Sequence, residues 1–451
     1  MKNVVFWSGV KNEWLSDKYG GWDWMDCSRK SWEYWCKQND VVFFPFEKAL
    51  DSDLKRYRIN FQRYNAPDLL DEAGIDYDQV AMIDCAAIIR WDTPNFFNLT
   101  DHKFTGWRDI DNMRWIYESI KGYEEFFDFK LDGSKYINCS PTIWNKKEHA
   151  DLMRGYVQFY KDNTDALMEL HDVKVKKGFD QTPLNYWLQK NGVELKIDLP
   201  MAYKLTHIHR KEMFNHNWQL NENKTPFFIK YGYLWYMQGF PKEDRNNITK
   251  HVWGLVEDNY KDKEALLDSV SHKDEIKSTT SRQFKSDVYD YFSDEKYKEM
   301  TALDLGCWRG HGSKIYSHLF KKVYSIEIDQ ENVELAKDLC ISRGNVVFEC
   351  RDAHEGSWGW PEINVVFVDS NHTYDGVIND IKKVMKLYKD PILVLDDYGN
   401  PRQQIKQAID DLVSEGAIKI ERFIGEREGY TTAHGMVFNG REGIIATTIK
   451  Q

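Results

Sequence analysis

The sequence predicts an α/β protein of two unlike domains, and three observations predict it. Its 451 residues exceed what one hydrophobic core organises, since domains run to roughly 150 residues each. From about residue 300 onward, short apolar runs alternate with amphipathic stretches, the rhythm of strands and helices in an open sheet. Residues 1–255 have another texture, rich in Trp and Tyr, with short irregular elements. Between the two, residues 256–279 form a charged segment whose apolar residues are Leu266, Leu267 and Val270, read as a helical or partly disordered linker. The expected domains are therefore 1–255 and 280–451.

Composition narrows the partners. With 61 basic and 72 acidic side chains the net charge is -11, which offers no electrostatic footprint for nucleic acid. No apolar stretch is long enough for a membrane span, and the apolar run after Met1 is too short for a secretion signal. The seven cysteines include no Cys-x-x-Cys pair and are odd in number, which fits neither a zinc ribbon nor a full disulfide framework and points to a reducing cytoplasm. The 15% aromatic share reads first as core packing, with sugar-binding platforms as the alternative.

In the C-terminal half, the run Ala302 to Leu305 leads into Gly306-Cys-Trp-Arg-Gly310 and then a helical pattern from Ser313. Gly306 and Gly310 allow a loop backbone to approach a ligand, and Asp304 ends the strand as an acceptor for polar or cationic groups. The next strand ends in Glu327, about 20 residues after the loop, where an acid can hold both ribose hydroxyls. Later strands finish in Asp352, Asp369 and the pair Asp396 and Asp397. Asp369, Asp396 and Asp397 make a hard oxygen site suited to magnesium or manganese, and His372, three residues beyond Asp369, can take a proton from a hydroxyl held there. The bland alternative is that these acids cap strand ends and His372 is a surface residue.

These residues resemble class I S-adenosylmethionine (SAM)-dependent methyltransferases over about residues 280–451. The resemblance implies a Rossmann-like sheet with SAM bound by Asp304, Gly306 and Gly310, the ribose on Glu327 and the adenine amino group on Asp352. Trp308 stands where the family often has another glycine, narrowing the methionine end. An NAD-binding reading shares the loop and the ribose acid but does not account for the acids after the fourth and fifth strands. The Asp369-x-x-His372 run followed by Asp396-Asp397 is similar to the metal-dependent O-methyltransferases that act on sugars. No Asn/Asp-Pro-Pro-aromatic run, the amino-methylating motif, is present, which favours oxygen as the acceptor.

The N-terminal half opens in βαβ order: a strand at Asn3–Trp7, a helix through Cys27–Cys36, a strand from Val41. Arg56, Arg58 and Arg63 follow and can face a diphosphate or only solvent. A buried strand from Gln79 ends at Asp84, as one emerging at a ligand cleft would. With the Tyr136–Asn145 stretch and the Asp180-Gln181 start of a helix, this resembles nucleotide-sugar glycosyltransferases of the GT-A type. The resemblance implies a metal on the diphosphate held by Asp84 and a sugar pocket shaped by Asp180. The family's third motif position is Ala86 here, so Asp84 needs help from His207 or His209, or the domain is metal-independent or non-catalytic. The local alternative for Asp180 is a helix N-cap.

Together these readings imply a bifunctional glycan-modifying transferase that uses a nucleotide-sugar donor, a glycan acceptor and SAM, fusion raising the local concentration of one product at the other site. Two rivals differ in class. One makes the N-terminal domain a non-catalytic glycan-binding module, and the other has the methyltransferase act on a small catechol-like phenol.

Overall fold

In the computed structural model the described residues are 1–11, 21–109, 112–203, 212–213, 225–271, 280–356, 358–360, 362–400, 404–431, 435 and 437–449. The chain divides into two compact units, one of Met1–Trp218 with Tyr231–Gly254, the other of Gln219–Lys230 with Leu255–Gln451. Among the described residues, no helix is long and apolar enough to cross a membrane. All seven cysteines are free.

The first unit is built on a six-stranded sheet. Strands β1 (Lys2–Ser8), β2 (Val42–Phe46) and β3 (Tyr77–Asp84) are parallel, and the helix Asp23–Gln38 makes the expected βαβ crossover between β1 and β2. A short β4 (Ala87–Ile89) follows, then β5 (Phe104–Arg108), β6 (Ile137–Asn145), β7 (Leu195–Lys196) and β8 (Leu234–Tyr236). The large sheet runs β2-β1-β3-β6-β5-β7, with β6 antiparallel to both neighbours, while β4 and β8 form a separate ribbon. The aromatic excess lies in the interior: Trp7, Trp32, Trp35, Trp144 and Trp235 are all below 2% exposed. A buried indole needs an acceptor for its N–H. Trp7 finds Ser28 Oγ at 3.0 Å, Trp32 the Ala87 carbonyl at 2.8 Å and Trp35 the Thr93 carbonyl at 2.7 Å.

The second unit is a seven-stranded sheet with helices on both faces. Its strands are β9 (Thr301–Leu305), β10 (Lys322–Glu327), β11 (Val346–Cys350), β12 (Val365–Val368), β13 (Ile392–Leu395), β14 (Ile418–Ile424) and β15 (Gly443–Thr448). They are ordered β11-β10-β9-β12-β13-β15-β14, parallel except for β15. The order reverses beside β9, the switch point outside which ligands bind in open α/β sheets. Alternation sets the faces. Ala302, Val323, Val365, Phe367 and Val394 pack with the helices Lys263–Val270, Arg282–Phe292 and His311–Leu319. Leu303, Ile326, Val366, Val368 and Leu395 pack with Tyr374–Leu387 and Ile405–Ser414 on the other side.

The segment expected as a linker is corrected in its first part. Glu257–Tyr260 form a 3-10 turn and Lys263–Val270 a helix, and Leu266, Leu267 and Val270 are at most 1% exposed within the core of the second unit. The three apolar residues lie on one helical face and are buried there, because a stripe that can leave water does so even in a charged segment. Residues 272–279 lie outside the described residues.

Candidate active site

The period of two that sorts the core also sorts the acids. Asp304, Asp369 and Asp396 follow Ala302, Phe367 and Val394 in register, so all three stand on one face at the carboxyl ends of the adjacent strands β9, β12 and β13. They line a cavity together with Phe284, Trp308 and Tyr316, and no Lys or Arg lines it among the described residues. Gly306 is required at its rim. Its φ is +84°, and a Cβ there would lie 2.3 Å from the Asp369 carbonyl oxygen. Gly310, at φ +80°, starts the helix His311–Leu319 and leaves no room for a Cβ against Ala336.

Glu327 ties the loop to the second strand. Its carboxylate accepts from the Trp308 amide at 2.9 Å and the Asp329 amide at 3.0 Å, which holds Trp308 at its left-handed φ of +45°. Each oxygen keeps a further lone pair for a ribose hydroxyl. Asp352 is half-buried, with Oδ1 accepting from the His354 amide at 2.8 Å.

Charge in the cavity is costly. Burial, with Glu327 nearby and against the Ser313 hydroxyl bond at 2.6 Å, lifts the Asp304 carboxyl to about 7. Burial and the Asp397 charge lift Asp369 to about 8, and burial with Asp369 raises Asp396 well above the usual carboxylate range. Lys285, which sequence reasoning missed, is 1% exposed and donates to the Thr280 carbonyl. Burial pulls it down to about 8, against the opposing fields of Glu442, Asp396 and Asp369. No sequence signal marks it, since it sits in an ordinary amphipathic helix.

His372 lies between two of the expected acids. Its Nδ1 is 3.0 Å from Asp397 Oδ2 and its Nε2 3.9 Å from Asp369 Oδ1. Asp369, His372 and Asp397 offer ligand atoms all within 4.8 Å of one another. Asp396, expected with them, stands outside that group. Asp396 lines the cavity and Asp397, the next residue, at a left-handed φ of +56°, does not.

In the first unit, the structure brings Asp84, Arg63 and Asp180 together. Arg63 Nη2 is 2.5 Å from Asp180 Oδ2 and Nη1 is 3.8 Å from Asp84 Oδ2. Tyr64, which carried no sequence signal, donates its hydroxyl to the same Asp180 oxygen at 3.1 Å. Asp180 is the N-cap residue of the helix Gln181–Lys190, as the local alternative had it, but its side chain makes no capping bond there. Two of the diphosphate candidates are engaged with carboxylates. Arg63 is 2% exposed and neutralised by interior carboxylates, and Arg58 is held by Asp172 at 2.5 Å and lies over the Phe179 ring. Interior cations pair with the nearest acids because an unpaired buried charge is expensive. Arg56 has one long ion pair, 3.9 Å from Asp165, and its side chain is 67% exposed. Asp84 stays 22% exposed, its amide donating to Ser140 Oγ at 2.7 Å and its Oδ1 accepting from the Ala86 amide at 2.9 Å. His207 and His209 lie outside the described residues.

No protein-family model matches the chain, and no curated protein matches it. Solved structures similar to it include methyltransferases, at low identity and over part of the chain. A putative methyltransferase of Streptococcus mutans in complex with SAH is 15% identical, covering 37% of this chain and 98% of that one, with a TM-score of 0.30. A SAM-dependent methyltransferase from Aquifex aeolicus is 14% identical, covering 42% and 100%, with a TM-score of 0.28. A SAM-bound amino pentose methyltransferase from Micromonospora echinaspora is 14% identical, covering 37% and 90%, with a TM-score of 0.28.

Proposed function

We propose that the second unit is a SAM-dependent O-methyltransferase for a sugar hydroxyl. The observation that carries the reading is His372, held by Asp397 at the edge of an acid-lined cavity entered over a glycine loop. Asp304, Gly306, Gly310, Glu327 and Asp352 bind the cofactor in this reading. The carboxylate of Asp397 orients the imidazole, whose Nε2 then accepts the proton of the acceptor hydroxyl. Asp369 and Asp397 supply hard oxygens for magnesium or manganese, a donor set that fits such a cation. A bound cation would gather two neighbouring hydroxyls and lower the pKa of one. The catechol-like alternative shares this chemistry and differs in its acceptor. Calorimetry of the intact chain with SAM and SAH tests the cofactor assignment, and absence of heat with both would sink it. Methyl transfer to sugar acceptors in excess EDTA tests the metal; undiminished transfer would remove the cation from the site.

The first unit supports a second reading as a nucleotide-sugar glycosyltransferase, which would make the chain bifunctional. Its support is the partly buried Asp84 at the end of β3 beside the buried Arg63–Asp180 pair. With Ala86 leaving one carboxylate and Arg63 already beside it, a metal on Asp84 is weakly held, and Arg56 is the remaining cation for a diphosphate. Saturation-transfer NMR of nucleotide-sugars against wild type and Asp84→Ala, with and without manganese, decides between this and a glycan-binding module. No transfer from any nucleotide-sugar to wild type leaves only the module.

A further inference from the structure

The helix Tyr374–Leu387 grips two loops that the methyl-transfer reading assigns to different ends of the site. One follows β11 and carries Asp352, given to the cofactor; the other follows β12 and carries Asp369 and His372, given to the cation and the proton. From the helix, Lys383 donates to the Ala353 carbonyl at 2.7 Å and holds the first loop. Asp380 is 0% exposed, and its Oδ2 accepts from the Ser370 hydroxyl, which holds the second. Gly376 lets the first turn of the helix lie against Asn371, since a Cβ there would stand 2.2 Å from the Asn371 side-chain carbonyl carbon.

His354 joins the two loops. Its Nδ1 is 3.2 Å from Asp380 Oδ1 and its Nε2 is 3.2 Å from Asn371 Nδ2. Asn371 Oδ1 already accepts from the Thr373 amide at 3.0 Å and the Thr373 hydroxyl at 2.8 Å, so the nitrogen end of its amide faces the ring. An amide NH2 only donates, so Nε2 is the nitrogen without a proton and Nδ1 carries one on the side of Asp380. That last pair is close but not aligned, because Asp380 Oδ1 is buried and has no hydrogen-bond partner among the described residues. Burial raises the Asp380 carboxyl and the His354 ring opposes the rise, so closing the ring onto Oδ1 relieves a buried charge. The ring is 36% exposed and has room to turn, while the His354 amide donates to Asp352 Oδ1 at 2.8 Å.

We propose that His354 is a positioning residue that couples the two ends of this site: a ligand on Asp352 settles the loop bearing His354, the imidazole closes on Asp380, and Asn371 then holds its neighbour His372 where it takes the proton. The inference rests on the SAM reading and on His372 as the base.

The test uses the full chain, wild type beside His354→Ala and His354→Gln, the second of which puts one acceptor and one donor in place of the ring. The backbone amide still donates to Asp352 in both variants, so binding of S-adenosylhomocysteine by calorimetry is expected to stay within a few-fold of wild type. Single-turnover methyl transfer at saturating SAM is expected to fall roughly ten- to a hundredfold in His354→Ala, the cost of a reacting group displaced by about an ångström, and to recover most of that loss in His354→Gln. The second readout needs no acceptor. Adenosine, which reaches Asp352 without an amino-acid end, is expected to move the His372 ring signal in NMR spectra of histidine-labelled wild type and His354→Gln, and to leave it in place in His354→Ala. Transfer by His354→Ala at the wild-type rate overturns the coupling, as does a His372 signal that answers bound adenosine equally in all three proteins or in none. A glutamine variant as slow as the alanine variant makes His354 purely structural and overturns it too. Wild type that binds neither S-adenosylhomocysteine nor adenosine overturns the SAM reading itself, and the proposal with it.

Discussion

His372→Ala is expected to slow methyl transfer from SAM by roughly two to four orders of magnitude, the usual worth of a positioned base, while SAM affinity stays within a few-fold. The Asp397 carboxylate, 3.0 Å from Nδ1, favours the tautomer protonated at that nitrogen and leaves Nε2 as the proton acceptor. The side chain is 44% exposed, so an acceptor reaches it from solvent. Single-turnover transfer of a labelled methyl group at saturating SAM measures the step. Turnover equal to wild type would return His372 to a surface residue.

Asp304→Asn is expected to cost SAM binding and at the same time to steady the fold at neutral pH. Asp304 releases its proton near 3.8 in an unfolded chain and near 7 when folded. Below about pH 4 both states hold the proton, and the group leaves stability untouched. As the pH climbs toward 7, the unfolded chain ionises first and the folded state loses ground, by roughly 4 kcal/mol once both are ionised. Asparagine cannot ionise, and its carbonyl oxygen can still accept from Ser313. The variant should therefore lack the part of the decline in stability between pH 4 and 7 that Asp304 causes. Urea unfolding of wild type and variant at several pH values reads this difference directly. Parallel profiles for the two proteins would mean that Asp304 ionises normally. Calorimetry of the same variant should show SAM affinity down by roughly tenfold or more, because a charged acceptor has been removed.

Both effects come from one trade: carboxylates held in a poorly hydrated cavity destabilise the empty protein and gain when a cationic ligand arrives. Asp369, raised to about 8, and Asp396 share that cost.

What the sequence by itself determined is what local periodicity controls. The alternation of short apolar runs and helical stretches foretold β9 to β13 and their helices, and glycines at 306 and 310 marked the loop between β9 and the next helix, where the structure has both at positive φ. Period two ties Asp304, Asp369 and Asp396 each to the residue two before it in its own run, but it is the strand pairing, Phe367 opposite both Asp304 and Val394, that puts all three acids on one face. The helix over Leu266 to Val270 was equally local, but only packing could show it to be core and no linker. Tertiary structure decided the pairings. Asp396 and Asp397 are neighbours in sequence, yet one lines the cavity and the other meets His372. Arg63 and Asp180 are 117 residues apart, and nothing in either segment announces that a buried guanidinium would be spent on that carboxylate. Tyr316 and Lys285 look like ordinary residues of amphipathic helices. Their surroundings were set by packing: Tyr316 lies flat on Phe367 and Lys285 donates to the Thr280 carbonyl, because a buried group takes the partners that the packed interior brings to it.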